Sequence, residues 1–348
     1  MLGTGSPGSA PAEVAHEVLD TPFDDPETLE IFCAGADVVT SEFENIPATL
    51  LEAIAERVPM RPAPQPVIVC QHREREKRFL EEQGIPCAPF RVVSDADELA
   101  AAMADIGPKG VLKTAEFGYD GKGQVRTDER TDPAAAWAAL DAPRGVFEQW
   151  IEFVAEASVM VVRGQGGDVR TYDPAENTHL RGILHTSVIP ARLSPDILDR
   201  ARRLATRVAE AFDYVGIMGV EFFVLGNGDL VVNEMAPRPH NSGHHTLDAC
   251  ETSQFEQQLR AACGLPLGST HLLAPAVMWN LLGDAWPADD AIPDWSSVLQ
   301  MPGAKLHLYG KERAPVGRKM GHVTFLAGSV EEAVELSEAC MALYPLRS

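Results

Sequence analysis

Residues 217–241, IMGVEFFVLGNGDLVVNEMAPRPHN, predict a β-hairpin. The loop Gly226-Asn227-Gly228-Asp229 is dense in turn formers, and the runs on either side, 220–225 and 230–235, are strand-like. Pairing Leu225 with Leu230 puts Glu221 directly opposite Glu234 on one face. Opposed side chains in an antiparallel pair have Cβ atoms roughly 4.5–5.5 Å apart, and like charges there destabilise the pair. A cation between them removes that cost. Hard oxygen donors suit Mg²⁺, which proteins usually hold through one or two carboxylates plus substrate phosphates. The hairpin therefore predicts a metal–nucleotide site with Glu221 and Glu234 as the metal ligands. The alternative is a solvated face on which two carboxylates happen to align.

Working outward, the 348 residues allow two or three domains and a large core. A hydrophobic content of 45% and a charged content of 23% are those of a soluble globular chain, and no apolar run approaches a membrane span. The formal net charge of −22 argues against broad nucleic-acid or anionic-membrane binding, which needs basic surface. An anionic substrate must find a local positive site. The six cysteines are scattered with no CxxC pair and no signal peptide before them, so reduced thiols in a cytoplasmic protein are expected.

Gly3, Gly5 and Gly8 spell a literal GxGxxG. A dinucleotide-binding turn needs a preceding strand and a following helix; only Met1 and Leu2 precede it and Pro7 interrupts it, so the segment reads as a loop. A short buried strand is expected at 37–40, a helix over 47–57 and an extended piece at 60–64, which is the alternation of a doubly wound sheet. Helical periodicity resumes over 73–82. From 90 to 151 the pattern is strand, helix over 95–104, strand over 110–114, glycine-rich loop, helix, and strand over 146–151. Ser194-Pro195-Asp196 is a helix start, and Ile197, Ala201, Leu204, Ala205, Val208 and Phe212 follow at helical spacing. Short strands at 305–309 and 322–325 and a helix over 330–343 close the chain.

The glycine-rich loop comprises Gly118, Tyr119, Asp120, Gly121, Lys122, Gly123 and Gln124, just after the strand bearing Lys113. Glycines let backbone N–H groups approach phosphate oxygens, and lysine is a point charge suited to phosphate. The loop lacks the GK[ST] of a Walker A motif, and a plain hairpin turn is the rival reading. Glu148, Gln149, Trp150 and Ile151 end a strand and Glu156 follows, a spacing that suits an adenine and ribose hydroxyls. His179 could titrate near neutral pH, although a lone histidine is more often structural. Beyond Glu234, the polar residues Arg238, His240, Asn241, Ser242, His244 and His245 suit a small oxyanion, with a histidine–metal site as rival. Lys311, Arg313, Arg318 and Lys319 form the one clear basic cluster, either a solvated edge or a seat for substrate phosphate.

Taken in order, DVVTSEFENIP, VLKTAEFGYDGKGQ, FEQWIEFVAE, ENTHLRGILH, VEFFV with VVNEMAPRPHNSGHHT, and GRKMGH resemble the 5-(carboxyamino)imidazole ribonucleotide synthetases, ATP-grasp enzymes of purine synthesis. The likeness runs from about Glu13 to the last helix, and NSGHHT and GYDGKGQ are its most specific parts. It implies an α/β fold with a truncated doubly wound domain over 1–72, an ATP-grasp domain over 73–264 and a small β-rich domain over 265–348. It also implies that ATP phosphorylates bicarbonate to carboxyphosphate, which carboxylates the exocyclic amine of aminoimidazole ribonucleotide directly or as released CO₂. By position, Arg73, Lys113 and the loop from Gly118 to Gln124 hold ATP phosphates. Glu148, Gln149, Trp150, Ile151, Glu156 and His179 seat adenine and ribose. Glu221 and Glu234 carry Mg²⁺ or Mn²⁺ with Asn233 beside them. Arg238, His240 and Asn241 fall to bicarbonate and carboxyphosphate, and Lys311, Arg318 and Lys319 to the ribonucleotide phosphate. A homodimer is implied as well.

In one respect the chain departs from the pattern. The family opens with a strand and a GGGQLG-like turn, and here Met1 to Pro11 falls where the family has the loop after its second strand. A start assigned too late is the expectation, which leaves a truncated, inactive nucleotide-binding protein as a rival. Other rivals are a formate-dependent glycinamide ribonucleotide transformylase or a biotin-carboxylase-like ligase, against which NSGHHT and GRKMGH speak.

Overall fold

A computed structural model describes residues 2–4, 14–22, 25–116 and 123–347. The N-terminal part holds β1 (Leu2–Thr4) parallel to β2 (Glu17–Leu19), then α1 (Pro26–Ala34), α2 (Ala48–Ala55), α3 (Pro64–Cys70) and α4 (Arg73–Glu82). Three expectations change here. Leu2–Thr4 is a strand where a loop was expected, while Gly5 and Gly8 lie outside the described residues. Residues 37–40 make only a single parallel bridge, Val39 to Met60, because Val39 N donates to Pro59 O and Arg61 N to Val39 O with no further rungs. The extended reading of 60–64 stops short: Ala63 is extended, but Pro64 occupies the first helical turn, where its missing N–H costs nothing. Val39, Leu51, Ile54, Val58, Met60, Val67 and Ile68 close this part around one apolar cluster.

Next comes β3 (Phe90–Val93), α5 (Ala96–Ile106), β4 (Gly110–Thr114), β5 (Gln124–Thr127), α6 (Pro133–Leu140) and β6 (Gly145–Gln149). The strands form a four-stranded antiparallel sheet in the order β3-β6-β4-β5. Leu99, Ala102 and Met103 of α5 and Ala136 and Leu140 of α6 bury against Leu112 and Phe147, so this sheet has one covered face. Its other face is left for the site.

The larger sheet is built from β7 (Phe153–Arg163), β8 (Val169–Thr171), β9 (Ala175–Leu180), β10 (Ile183–Ile189), β11 (Gly216–Leu225), β12 (Leu230–Ala236), β13 (Ala276–Leu282), β14 (Ala304–Leu308) and β15 (Lys319–Leu326). Its order is β12-β11-β7-β9-β10-β13-β15-β14, with β8 on β7. The strands after residue 264 thus extend the same sheet through the antiparallel pair β10–β13. The helix α7 (Pro195–Ala211) starts as expected, with Ser194 at its cap and Pro195 in the first turn. Ala201, Ala205, Val208 and Ala209 bury against Val159, Val161, Met218, Val220 and Phe222, which covers one face. The short helices α8 (Thr246–Ala249), α9 (Gln254–Ala262) and α10 (Ser296–Gln300), with α11 (Val330–Met341), complete the fold. No described helix is long and apolar enough to cross a membrane.

Candidate functional site

A cleft of about 2830 Å³ separates the two sheets and the N-terminal part. Pockets for one drug-sized ligand run to roughly 300–1,000 Å³, so this one has room for more than a nucleotide. Its lining includes Arg73, Lys113, Gln124, Glu148, Gln149, Trp150, Ile151, Glu156, His179, Glu221, Asn233, Glu234, Arg238, His240, Asn241, Lys311 and Lys319. Those expected site residues converge. Arg318 does not line the cleft; it is exposed and its guanidinium donates to Arg313 O at 2.9 Å. Gly118, Tyr119, Asp120, Gly121 and Lys122 lie outside the described residues.

The hairpin β11–β12 reaches its geometry by a different register from the one expected. Val224, and not Leu225, opposes Leu230, with Leu225 N donating to Asp229 O inside the turn. Continued unbroken, that register would set Glu221 against Asn233. It shifts by one residue between Phe222–Val232 and Val220–Met235, so Asn233 and Glu234 together face Glu221. This bulge re-aims Glu234, as bulges beside active sites do. Glu221, Glu234 and His240 then each offer a ligand atom within 4.8 Å of the others. Burial, then the Glu234 charge, raises the Glu221 carboxyl well above the carboxylate range. Two clustered carboxylates, one reluctant to ionise without a positive neighbour, fit a hard divalent cation.

His240 lies with Nε2 3.6 Å from Glu221 Oε1 and Nδ1 2.9 Å from Ser242 Oγ. Burial, then the Arg238 and Lys319 charges, pushes it far below the usual histidine range, so it is neutral. It packs on Gly219, where a Cβ would come within 2.7 Å of the His240 Cβ. Buried Gln254 brackets it, accepting from His240 N at 2.8 Å and donating to His240 O at 2.9 Å. Arg238 reaches Glu44 Oε2 at 3.0 Å and Pro239 O at 2.9 Å. The Asn241 residue is 8% exposed, and its side-chain Nδ2 has no partner among the described residues.

On the opposite wall, Glu148 is buried between two ammonium groups: Lys113 Nζ at 2.9 Å and Lys77 Nζ at 3.3 Å. Burial alone would raise its pKa, but Lys113, Lys77 and Arg73 outweigh it and hold the carboxyl at about 2. Its side chain thus faces the lysines while still lining the cleft. The backbone N–H groups of Gln149 and Trp150 are likewise taken, by Pro89 O and Lys109 O. Gly123 takes a positive φ of 67°, and a Cβ there would meet Thr114 Oγ1 at 2.7 Å. β4 and β5, which flank the glycine-rich stretch, pair antiparallel. Glu156 Oε2 is 3.0 Å from His179 Nδ1. Burial works against the imidazolium, but Glu156 and the other carboxylates raise His179 above its ordinary range.

Of the histidines at 240–245, only His240 joins a candidate ligand cluster among the described residues, the one with Glu221 and Glu234, and a second cluster includes none of them. Asp248, His307 and His322 offer ligand atoms within 4.8 Å, with His307 Nε2 2.8 Å from Asp248 Oδ2. The His307 and His322 rings, however, are stacked at 4.4 Å with planes 11° apart, so an ion in one ring's plane lies above the other's. Burial brings His244 to about 3 and His322 to about 2, both neutral.

Sequence reasoning missed Glu44, Glu76, Lys77 and Gln254. Glu76 and Lys77 lie in REREKRFLEE, a charge run that looks solvated. The available signal was helical spacing: Arg73, Glu76, Lys77 and Leu80 share one face at i, i+3, i+4 and i+7, and Leu80 is fully buried.

A divided antiparallel fold with a buried lysine on one sheet and paired carboxylates on the other defines an ATP-dependent ligase class, and residues 78–255 match the family model of the ATP-grasp domain. Residues 4–71 match the ribonucleotide synthetase preATP-grasp domain, and residues 276–336 the phosphoribosylaminoimidazole carboxylase C-terminal domain. N5-carboxyaminoimidazole ribonucleotide synthase of Brucella melitensis is 44% identical over 319 residues, 91% of this chain and 86% of that one. A crystal structure of an N5-carboxyaminoimidazole ribonucleotide synthetase with ADP superposes with a TM-score of 0.91 at 38% identity, covering 98% of this chain and 89% of that one. One from Aspergillus clavatus, with ADP and 5-aminoimidazole ribonucleotide, gives 0.89 at 31% identity, covering 99% and 91%. The chain belongs to the N5-carboxyaminoimidazole ribonucleotide synthase family.

Proposed function

We propose that this chain couples ATP hydrolysis to carboxylation of the exocyclic amine of 5-aminoimidazole ribonucleotide, giving N5-carboxyaminoimidazole ribonucleotide for purine synthesis. The observation that carries this reading is one cleft in which Lys113, the Glu221–Glu234 pair and the Arg238–His240–Asn241 turn face each other. Bicarbonate oxygen attacks the γ-phosphorus as the bond to the β-phosphate oxygen breaks, giving ADP and carboxyphosphate. The amine nitrogen then takes the carboxyl carbon, directly or through CO₂, with release of phosphate and a proton.

Lys113 and Arg73 neutralise the phosphates, and Glu148 keeps the Lys113 ammonium aimed at them. Mg²⁺, held by Glu221 and Glu234 with Asn233 beside them, would supply the remaining charge neutralisation as the γ-phosphoryl group moves. Neutral His240, Arg238 and the Asn241 Nδ2, which has no partner among the described residues, suit an anionic carboxyl species, with the turn shielding a labile intermediate from water. Lys311 and Lys319 stand at the cleft edge for the ribonucleotide phosphate.

ADP release with ATP, Mg²⁺ and bicarbonate, measured with and without aminoimidazole ribonucleotide, tests this. Strong stimulation by the ribonucleotide is expected. Stimulation by formate, or no ADP in any mixture, would refute it. Within the same assay, Glu156→Ala should raise KM for ATP by roughly 10- to 150-fold with kcat little changed, because one charge-assisted bond to ribose is worth roughly 1.5–3 kcal/mol. A fall in kcat alone would remove Glu156 from the nucleotide.

A further inference from the structure

Two consecutive residues of α4, which packs through Leu80 on the large sheet, hydrogen-bond the strand that carries the Glu234 carboxylate. Lys77 Nζ donates to Asn233 O at 2.9 Å, and Met235 N donates to Glu76 Oε1 at 2.7 Å. These bonds flank Glu234 on both sides, at the point where the β11–β12 register shifts. A bulge leaves backbone groups out of the ladder, and buried ones must find partners elsewhere. Glu76 is 2% exposed and Lys77 is fully buried, so water does not compete for either bond. Lys77 also sits 3.3 Å from Glu148 Oε2, whose other oxygen holds Lys113. One ammonium therefore ties the small sheet's phosphate-facing lysine to the large sheet's bulge.

We propose that Glu76 and Lys77 are positioning residues that lock the Asn233–Glu234 bulge in register, Glu76 setting the affinity for the divalent cation and Lys77 setting its place relative to the nucleotide phosphates. The inference rests on the metal reading given above. Without the Glu76 acceptor, the Met235 N–H is stranded and the strand relaxes toward the unbulged register, in which Asn233 and not Glu234 faces Glu221. The cation then loses one of its two carboxylates although neither has been replaced. Lys77 acts on both sheets, so its removal disturbs the metal and the nucleotide together.

The test is Mn²⁺ binding to the full chain in the presence of ADP, read from the electron paramagnetic resonance signal of free Mn²⁺, with metal-free ADP binding measured by calorimetry. Glu76→Leu should weaken Mn²⁺ roughly 10-fold, the lower end of what partners behind a metal ligand contribute, and leave ADP affinity within about twofold. Glu76→Gln, which keeps a carbonyl acceptor, should restore Mn²⁺ affinity. Lys77→Met should weaken both ligands by roughly 10-fold or more, and it carries the test if Glu76→Leu does not fold. Loss of thermal stability with unchanged Mn²⁺ affinity in both variants overturns the proposal, as does a Gln variant as weak as the Leu variant. Glu234→Ala is the control. If it binds Mn²⁺ like the unaltered chain, the metal reading fails and takes this inference with it; if it loses Mn²⁺ while Glu76→Leu and Lys77→Met do not, only the inference fails.

Discussion

Glu234→Ala is expected to lower the rate of ADP release by roughly 10²–10³-fold at saturating ATP, Mg²⁺ and bicarbonate, the scale set by removing one preorganised stabiliser of developing charge. The loss falls on kcat because the metal is needed most as the γ-phosphoryl group moves, while lysine and ribose contacts still hold ATP. Removing Glu234 also removes the charge that, after burial, raises the Glu221 carboxyl. Glu221 then ionises more readily but faces the phosphates alone, a single carboxylate where two converge now. Raising Mg²⁺ should recover only part of the rate. Full ADP release by this variant would remove the metal assignment.

Glu148→Gln has the largest expected effect on stability. Glu148 is 4% exposed and stands between Lys113 and Lys77, so glutamine leaves two buried ammonium groups without their shared anion. Breaking such a buried pair costs about 3–5 kcal/mol at neutral pH. The pH dependence follows from the depressed pKa of Glu148, about 2 against an ordinary 4.5. A carboxyl held low in the folded state contributes stability that is fully present above about pH 4.5. It loses that contribution as pH falls through about 2, by on the order of 3 kcal/mol in all. The gap between the unaltered chain and Glu148→Gln should therefore be widest near pH 7 and narrow steadily below about pH 4.5. Urea unfolding of both proteins at pH 7 and near pH 3 measures it. Equal stability at pH 7, or a gap that is the same at both pH values, would show that the lysines do not depend on Glu148.

Much of this site is legible in one dimension because its parts obey local rules. A turn rich in Gly, Asn and Asp between two apolar runs predicts β11–β12, and Ser194-Pro195-Asp196 predicts the start of α7. The register is another matter. A bulge is stabilised by partners elsewhere in the chain, here Glu76 and Lys77 some 160 residues away (159 and 156), and nothing within 220–235 signals it. The helix α3 escapes for a related reason: PQPVIVC has two prolines and three β-branched residues, poor helix formers all, and burial of Val67, Ile68 and Val69 is what favours the helix. Arg318 and Lys319 are adjacent in sequence and look alike as cations. Only the fold sends Lys319 into the cleft and Arg318 to solvent, because successive side chains around a strand's first residue point to opposite faces.

The sequence by itself determined that residues 217–241 form a hairpin, that Glu221 and Glu234 belong together, and that the motifs around them belong to an ATP-grasp ligase acting on a ribonucleotide. The tertiary structure alone decided how the two carboxylates meet and what Glu148 does. Their convergence comes from a one-residue bulge instead of the unbroken register that the turn suggested, and Glu148 stands between two buried lysines that the sequence did not pair with it. The physical reason is common to both. Backbone groups and charges taken out of water must be satisfied by whatever the fold brings within about 3 Å, and that choice is made by distant segments.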